Sequence, residues 1–147
     1  MIIVVADTSG LLAALDSAHP EHRGANEALV AAGLLVMSPL LLAEIDHVAT
    51  RELGREAAVS AIDDIRRWMR LSRIVVPEIT EIHLATAQSV RARYQGLNLD
   101  LADAVNGALA SDYDTDAVLT LDRRDFRAVR PLGRHKSFRV LPDDLPL

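Results

Sequence analysis

The chain of 147 residues is long enough for one domain with a substantial core, and it carries no cysteine. Disulfide frameworks and thiolate metal sites are therefore excluded, and the composition fits a reducing cytosol. Half of the residues are hydrophobic but only 3% are aromatic, so the core must be built from Leu, Val, Ile and Ala. The formal net charge of −5 argues against a general nucleic-acid binder, which needs clustered basic residues.

The first predicted element is a short strand, because Ile2 to Ala6 is an uninterrupted apolar run that is typical of strands buried on both faces. A helix over 11–15 follows it, with Thr8 or Ser9 as its N-cap. The spacing of apolar residues then predicts, in chain order, a helix over 20–32, a strand over 34–37, helices over 39–54 and 55–71, a strand over 73–77, helices over 78–94 and 101–110, a strand over 117–121 and an edge strand over 138–141.

This alternation of strands and helices predicts an α/β fold, with a mostly parallel sheet of four or five strands and helices on both of its faces. No internal repeat, low-complexity stretch or linker divides the chain, so residues 1–147 are predicted to form one domain. The first apolar run lacks a basic flank and is too short for a signal peptide or a membrane span. We therefore expect a soluble, cytoplasmic protein without a membrane partner.

Two acidic residues directly follow predicted strands. Asp7 comes after the first strand, and Asp122 comes after the run from Val118 to Leu121. In open α/β sheets, sites form beyond the carboxyl ends of the strands, so these two carboxylates can approach each other if their strands are neighbours. Each acid also has a simpler interpretation: Asp7 as a turn residue or helix cap, and Asp122 as the start of a turn.

Three further acids lie on predicted helices. Glu44 is flanked by apolar residues, which indicates a buried position, and a buried glutamate is rare unless it is paired. In the alternative interpretation, Glu44 lies on the solvent-exposed face of an amphipathic helix. Asp100 and Asp103 are three residues apart, so both can face one side of a helix start, where the helix dipole favours negative charge. Asp100 or Asn98 is also a suitable cap for this helix, and a surface position is the alternative for Asp103.

Carboxylates brought this close repel each other, and burial raises their pKa values unless a cation lies among them. Oxygen ligands without cysteine or a paired histidine motif select hard cations such as Mg²⁺ or Mn²⁺. Two such ions about 4 Å apart can activate water and stabilise the leaving oxygen of a phosphodiester. The hydroxyls of Thr8, Ser9 and Thr120 can order a water molecule or orient a carboxylate there.

Basic residues are concentrated in the last quarter of the chain: Arg123, Arg124, Arg127, Arg130, Arg134, Lys136 and Arg139. Such a strip beside an acidic site suits a metal enzyme that acts on a polyanion, and a solvated charged tail is the alternative. Arg123 and Arg124 directly follow Asp122 and can bind a phosphate group of such a polyanion there, but Arg123 can equally pair with a carboxylate. His19 and His22 have no carboxylate-bearing zinc motif after them, which favours a structural or surface role.

Four segments of the chain resemble one known family. They are Ile3-Val4-Val5-Ala6-Asp7-Thr8-Ser9, Leu41-Leu42-Ala43-Glu44-Ile45, Leu99-Asp100-Leu101-Ala102-Asp103-Ala104 and Leu119-Thr120-Leu121-Asp122-Arg123-Arg124-Asp125-Phe126. In this order and at this spacing they resemble the PIN-domain ribonucleases of the VapC toxin type, the nuclease half of a bacterial toxin–antitoxin pair. The resemblance spans essentially the whole chain.

The resemblance implies a PIN-like three-layer fold with a metal-binding, catalytic quartet: Asp7, Glu44, Asp103 and Asp122. It implies Asp100 only as a less general additional ligand. It further implies Mg²⁺ or Mn²⁺ as cofactor, endonucleolytic cleavage of structured RNA such as tRNA or ribosomal RNA, a homodimer, and inhibition by a cognate antitoxin.

Two other classes of function remain open from the sequence. One is a catalytically silent, PIN-like binding module, against which the intact acids argue. The other is an aspartate-nucleophile phosphatase, which requires a second Asp two residues after the first and a suitably placed lysine. Here Ser9 occupies that second position and Lys136 is the only lysine, so this class is weakly supported.

Overall fold

The computed structural model describes residues 1–147 and contains one sheet of five strands surrounded by helices. The strands are β1 (Ile3–Ala6), β2 (Leu34–Met37), β3 (Ile74–Val75), β4 (Ala117–Leu119) and β5 (Arg139–Leu141). The helices are α1 (Thr8–Leu15), α2 (His22–Ala31), α3 (Leu40–Leu53), α4 (Arg55–Arg70), α5 (Glu81–Arg93), α6 (Leu101–Asp112) and α7 (Arg123–Ala128), and a 3₁₀ turn occupies Gln95–Leu97. No helix combines the length and the apolar composition that a membrane span requires.

All neighbouring strands of the sheet are parallel, and they lie in the order β3-β2-β1-β4-β5. The chain builds outwards from the central β1 to β2 and β3, and then returns to place β4 on the other side of β1. In the register, Val5 lies opposite Val36 on one side and Val118 on the other. The reversal between β1 and β4 is the point at which a cleft opens beyond the carboxyl ends of the strands.

The sheet separates two cores, because successive side chains of a strand point to opposite faces. Val4 and Ala6 belong to the core that α1, α2, α3 and α4 cover, whereas Val5 belongs to the core under α5, α6 and α7. Both faces of β1 are therefore buried, which explains the uninterrupted apolar run at the start of the chain. The predicted α/β fold, with a parallel sheet between two helical layers, is confirmed.

Several local details differ from the expectations. The strands β3 and β4 are shorter than predicted, since they cover only Ile74–Val75 and Ala117–Leu119. The cap of α1 is Asp7 rather than Thr8 or Ser9, because the Asp7 carboxylate accepts a hydrogen bond from the Thr8 amide. Helices α2 and α5 begin at His22 and Glu81, slightly later than predicted, since turn or extended residues precede them. Helix α7 occupies a segment for which the sequence pattern predicts no helix, because this helix is too short to show a periodic apolar face.

Helix α1 packs directly on the end of β4 through Gly10. A Cβ atom at this position would lie 2.6 Å from the carbonyl carbon of Leu119 and 2.8 Å from the amide nitrogen of Thr120. Just before the helix, the Asp7 amide donates a hydrogen bond of 2.9 Å to the Leu119 carbonyl oxygen. The first turn of α1 and the end of β4 are thus held together, which brings the side chains of Asp7 and Thr120 into contact.

Replacing Gly10 by Ala should destabilise the fold by about 1–3 kcal/mol, because the added methyl group overlaps backbone atoms of β4. Urea unfolding followed by circular dichroism measures this change. Gly107→Ala in α6 is the matched control, since a Cβ there meets no atom within 4 Å and alanine is the better helix former. Equal stability of the Gly10→Ala variant and the unmodified protein would contradict the close packing of α1 on β4.

Candidate metal centre

A cleft of about 350 Å³ opens at the carboxyl ends of β1 and β4. It is lined by all five acids that the sequence predicts for the site: Asp7, Glu44, Asp100, Asp103 and Asp122. The other lining residues are Thr8, Ser9, Leu12, His19, Val48, Glu52 and Leu121. Acids that are far apart in the sequence are thus brought together by neighbouring strand ends and by the helices around them.

Asp7 is the most firmly held of these acids. It is only 7% exposed, and both of its carboxylate oxygens accept hydrogen bonds. The Thr8 amide donates to Oδ1 at 2.9 Å, and the Thr120 hydroxyl donates to Oδ2 at 2.8 Å. The same Thr120 oxygen accepts a hydrogen bond of 2.9 Å from the Asp122 amide. Thr120 therefore connects the two acids at the ends of β1 and β4.

The other two predicted hydroxyls have different surroundings. Ser9 Oγ accepts a hydrogen bond of 3.0 Å from the Leu121 amide and lies 3.4 Å from the Thr120 hydroxyl oxygen, so it braces the segment that follows β4. Thr8 Oγ1 is buried and has no hydrogen-bond partner within the protein. Because buried hydroxyls normally have a partner, the wall of the cleft contains one polar atom whose hydrogen-bonding capacity is unused.

Asp100 and Asp103 lie at the start of α6. Asp100 is the N-cap, and its Oδ1 accepts a hydrogen bond of 2.8 Å from the Asp103 amide. The interpretation of Asp100 as a cap is therefore confirmed, and one oxygen of this exposed carboxylate is engaged in capping. Asp103, in the first turn of the helix, is half-buried and lines the cleft.

Glu44 comes from α3, which packs against the core through Leu41 and Ile45. Its side chain is exposed, as the alternative with an amphipathic helix predicts. The exposed face of the helix is nevertheless the one that lines the cleft, because Glu44, Val48 and Glu52 follow each other at intervals of four residues. Glu44 is therefore both exposed to solvent and part of the lining of the cleft.

One further acid, Asp125, is missed by the sequence pattern but lies beside the predicted residues. Carboxylate oxygens of Asp103, Asp122 and Asp125 all lie within 4.8 Å of one another. Asp125 is in the first turn of α7, the helix that the sequence pattern does not predict. The spacing of three residues between Asp122 and Asp125 is the feature that could have revealed it, because such residues share one face of a helix.

The crowding of these acids changes their acidity. The pKa of Asp7 is raised to about 6, first by burial and then by repulsion from Glu44 and Asp100, against the lowering effect of its two hydrogen bonds. Burial also raises the pKa of Asp103 to about 8, and the charges of Asp7 and Asp100 add to this shift. Burial and the neighbouring Asp122 raise the pKa of Asp125. Positive charge among these carboxylates would relieve the repulsion.

No basic side chain forms an ion pair with these acids, although the charge of Arg124 acts against the rise in the pKa of Asp125. None of the six acids of the site forms an ion pair. The arginines of the C-terminal region pair instead with acids outside the cleft: Arg127 with Asp144 at 2.6 Å, Arg134 with Asp114 at 3.0 Å and Arg139 with Asp116 at 2.8 Å. Much of the predicted basic strip is therefore neutralised within the molecule.

The two arginines that follow Asp122 differ from each other. Arg123 forms ion pairs with Glu21 and with Asp143, the latter at 2.6 Å. The alternative in which Arg123 pairs with carboxylates is therefore observed, and its partners tie the α1–α2 loop and the C-terminal segment to the start of α7. Arg124 is exposed and forms no ion pair. A phosphate-binding role for either arginine stays a prediction.

The chemistry of the cleft fits a hard divalent cation. It offers carboxylate and hydroxyl oxygens without sulfur, and Glu52 is the one lining carboxylate that has a basic partner, Arg51. Oxygen-rich, negatively charged sites of this kind suit Mg²⁺ or Mn²⁺. Asp103, Asp122 and Asp125 have the oxygens that lie closest together, and Asp7 is held at the adjacent strand end.

Comparison with known proteins gives a consistent result. Residues 4–131 match the PIN domain family. The chain is 35% identical over 142 residues to Ribonuclease VapC26 of Mycobacterium tuberculosis, with 95% of this chain and 100% of the relative covered. The structure is similar to Mycobacterium tuberculosis VapC20, a sarcin–ricin loop cleaving toxin, with a TM-score of 0.70, 20% identity and coverage of 82% of this chain and 91% of that one. It is also similar to a toxin–antitoxin complex from Klebsiella pneumoniae, with a TM-score of 0.59, 23% identity and coverage of 89% and 99%.

The fold and the site together define a PIN domain, in which a parallel α/β sheet gathers acids at the carboxyl ends of its central strands. The chain belongs to the PIN-domain family and, within it, to the VapC type of toxin ribonuclease. The family resemblance carried by the four sequence segments is thereby confirmed. The solved structures, at 20% and 23% identity, support the fold.

Free of metal, the protein should lose stability as the pH rises from about 4 to about 8. Asp7, with a pKa of about 6, and Asp103, with a pKa of about 8, hold protons more tightly in the folded chain than at their ordinary value of 3.8. The folded state therefore binds more protons than the unfolded state in this range, and stability falls as these protons are lost. Thermal unfolding in EDTA, recorded at several pH values, measures the slope.

Asp103→Asn should flatten this slope, because the amide does not ionise. Asp46→Asn is the matched control, since Asp46 is an exposed acid of α3 that does not line the cleft. The control should keep the slope of the unmodified protein. An equally steep slope in the Asp103→Asn variant would show that Asp103 is not a source of the pH dependence.

Proposed function

We propose that this chain is a metal-dependent endoribonuclease that uses Mg²⁺ or Mn²⁺ to hydrolyse phosphodiester bonds in structured RNA, such as tRNA or ribosomal RNA. The observation that carries the proposal is the convergence of carboxylate oxygens from Asp103, Asp122 and Asp125 within 4.8 Å, beside the firmly held Asp7. The relative with 35% identity, which the chain covers over its whole length, is named a ribonuclease.

In this proposal the cation is held by the predicted quartet together with the acid of α7: Asp7, Glu44, Asp103, Asp122 and Asp125. Asp100 lines the same cleft and is the additional ligand that the family resemblance implies. A divalent cation bound there would supply positive charge that can activate water and stabilise the leaving oxygen of a phosphodiester.

The side chains prepare the site before any ligand arrives. The Thr8 amide and the Thr120 hydroxyl already orient both oxygens of Asp7, so little further ordering is needed there. Asp103 holds a proton near neutral pH in the free protein, because its pKa is about 8. A cation held by Asp103 would compete with this proton, so its binding should become tighter as the pH rises.

Arg124 is the basic residue best suited to contact an RNA phosphate beside the acids, because it is exposed and has no ion-pair partner. Its charge also favours the ionised form of the neighbouring Asp125. Arg123 would act differently, because Glu21 and Asp143 already occupy its guanidinium group. Its contribution is to hold the α1–α2 loop and the C-terminal segment next to the site.

We further propose that the protein acts in the cytoplasm as the toxin of a toxin–antitoxin pair, that it forms a homodimer, and that a cognate antitoxin inhibits it. Membership of the VapC type supports this assignment. The acidic cleft also suits an inhibitor that inserts a basic side chain, because the carboxylates of the site have no basic partner of their own.

Asp7→Asn and Asp122→Asn should each lower RNA cleavage by more than about 100-fold, since each change removes a carboxylate from the cation site. The fold should survive, because Asn caps a helix about as well as Asp. Gel analysis of total RNA incubated with the purified proteins measures cleavage. EDTA should abolish the activity, and Mg²⁺ or Mn²⁺ should restore it. Asp46→Asn is the control that should cleave normally, and undiminished cleavage by either site variant would refute the assignment.

Thr120→Val should lower metal-dependent cleavage by about 10- to 100-fold, because it removes the hydroxyl that orients Asp7 and accepts from the Asp122 amide. The titration of activity against Mg²⁺ should shift to higher concentration. Thr50→Val on the exposed side of α3 is the control. If both variants have the same Mg²⁺ dependence as the unmodified protein, Thr120 does not position the acids.

A further inference from the structure

The loop between α1 and α2 brings one histidine, His19, into the wall of the acidic cleft. It is half-buried there. The other polar side chains that line the cleft are carboxylates and the hydroxyls of Thr8 and Ser9. His19 is therefore the one side chain of the lining that carries a nitrogen. A polyanion that enters this cleft meets repulsion from the ionised carboxylates of the lining.

Hydrogen bonding selects one tautomer of His19. The backbone amide of Glu21 donates a hydrogen bond of 3.0 Å to Nδ1, so this ring atom is the acceptor. A neutral imidazole with an acceptor at Nδ1 carries its proton on Nε2. The Nε2 atom makes no hydrogen bond within the protein, so the ring has one unused N–H donor. His22, by contrast, uses its Nδ1 in a contact of 2.9 Å with the Ala13 carbonyl oxygen.

The loop that carries His19 is anchored to the metal-binding end of β4. Glu21, whose amide holds the imidazole ring, forms an ion pair with Arg123 through its side chain. Arg123 directly follows Asp122 in the chain and also pairs with Asp143 at 2.6 Å. His19 is thus linked through Glu21 to Arg123, the residue that follows Asp122. This link fixes the position of the imidazole ring relative to Asp122.

We propose that His19 is an RNA-contacting residue, which donates its Nε2 proton in a hydrogen bond to a phosphate oxygen next to the acids. This inference rests on the proposed ribonuclease function. A phosphate group is a strong acceptor, and a neutral N–H donor can hold it without neutralising the carboxylates that the cation needs. His19 thus serves substrate binding, and the hydrogen bond from the Glu21 amide sets the tautomer that makes it a donor.

Two substitutions of His19 distinguish the Nε2 donor from the Nδ1 acceptor, which binds the Glu21 amide within the loop. In His19→Gln, the side-chain amide nitrogen lies near the position of Nε2 and restores a donor. In His19→Asn, the side-chain oxygen lies near the position of Nδ1 and restores only the acceptor for the Glu21 amide. Both are compared with His19→Ala, and His47→Ala serves as the control, because His47 is exposed on α3 and outside the cleft lining.

Binding is measured by fluorescence anisotropy of a fluorescein-labelled RNA of random sequence, with each change made in the Asp122→Asn background so that the RNA stays intact. Cleavage of total RNA is measured in the unmodified background. His19→Ala and His19→Asn should weaken binding by about tenfold, and His19→Gln and His47→Ala should bind within about twofold of the parent. The loss should fall mainly on KM rather than on kcat. Thermal unfolding checks that all variants are folded.

The reverse ranking, with His19→Asn normal and His19→Gln weakened, would show that the ring only braces the loop and would overturn the proposal. Equal affinity in all variants, or equal weakening in all three His19 variants, would overturn it as well. Failure of the proposed function is recognised separately: unmodified protein that cleaves no RNA with Mg²⁺ or Mn²⁺ refutes the ribonuclease proposal, whatever the His19 variants do.

Discussion

The site depends on the contact between β1 and β4, the two strands between which the order of the sheet reverses. Their pairing places two carboxyl ends side by side, and the Thr120 hydroxyl joins them by donating to Asp7 and accepting from the Asp122 amide. Gly10 allows α1 to lie on the same strand end without steric overlap. A displacement at this junction would therefore move two acids at once, whereas Glu44 reaches the cleft from a separate helix.

Charge is distributed unevenly over the molecule. Outside the cleft, arginines neutralise acids, as in the pair of Arg139 and Asp116. Within it, Asp7 and Asp103 are withdrawn from water without a basic partner, and their pKa values are raised for that reason. The unfolded chain does not carry this repulsion, so the acids of the site lower the free energy of unfolding of the metal-free protein. A cation that binds only the folded form would restore that stability.

The elements built from local patterns could be predicted from the sequence. Apolar runs locate the strands, and they predict that Asp7 and Asp122 lie beyond the ends of buried strands. The basic strip of the last quarter was less informative, because ion pairs form between residues that are distant in sequence. Arg123 meets Glu21 across such a distance, which is why the sequence alone is compatible with two opposed roles for this arginine.

The α/β class, the parallel sheet and the acids at strand ends follow from the amino-acid sequence alone, because hydrophobic periodicity and the chemistry of single residues specify them. Which acids share one space follows instead from the way the chain folds. The tertiary structure added Asp125 through a short helix, placed the exposed Glu44 on the cleft and left the Nε2 donor of His19 unused within the protein. The physical reason is that distances between side chains depend on strand order and helix packing, which no local pattern specifies.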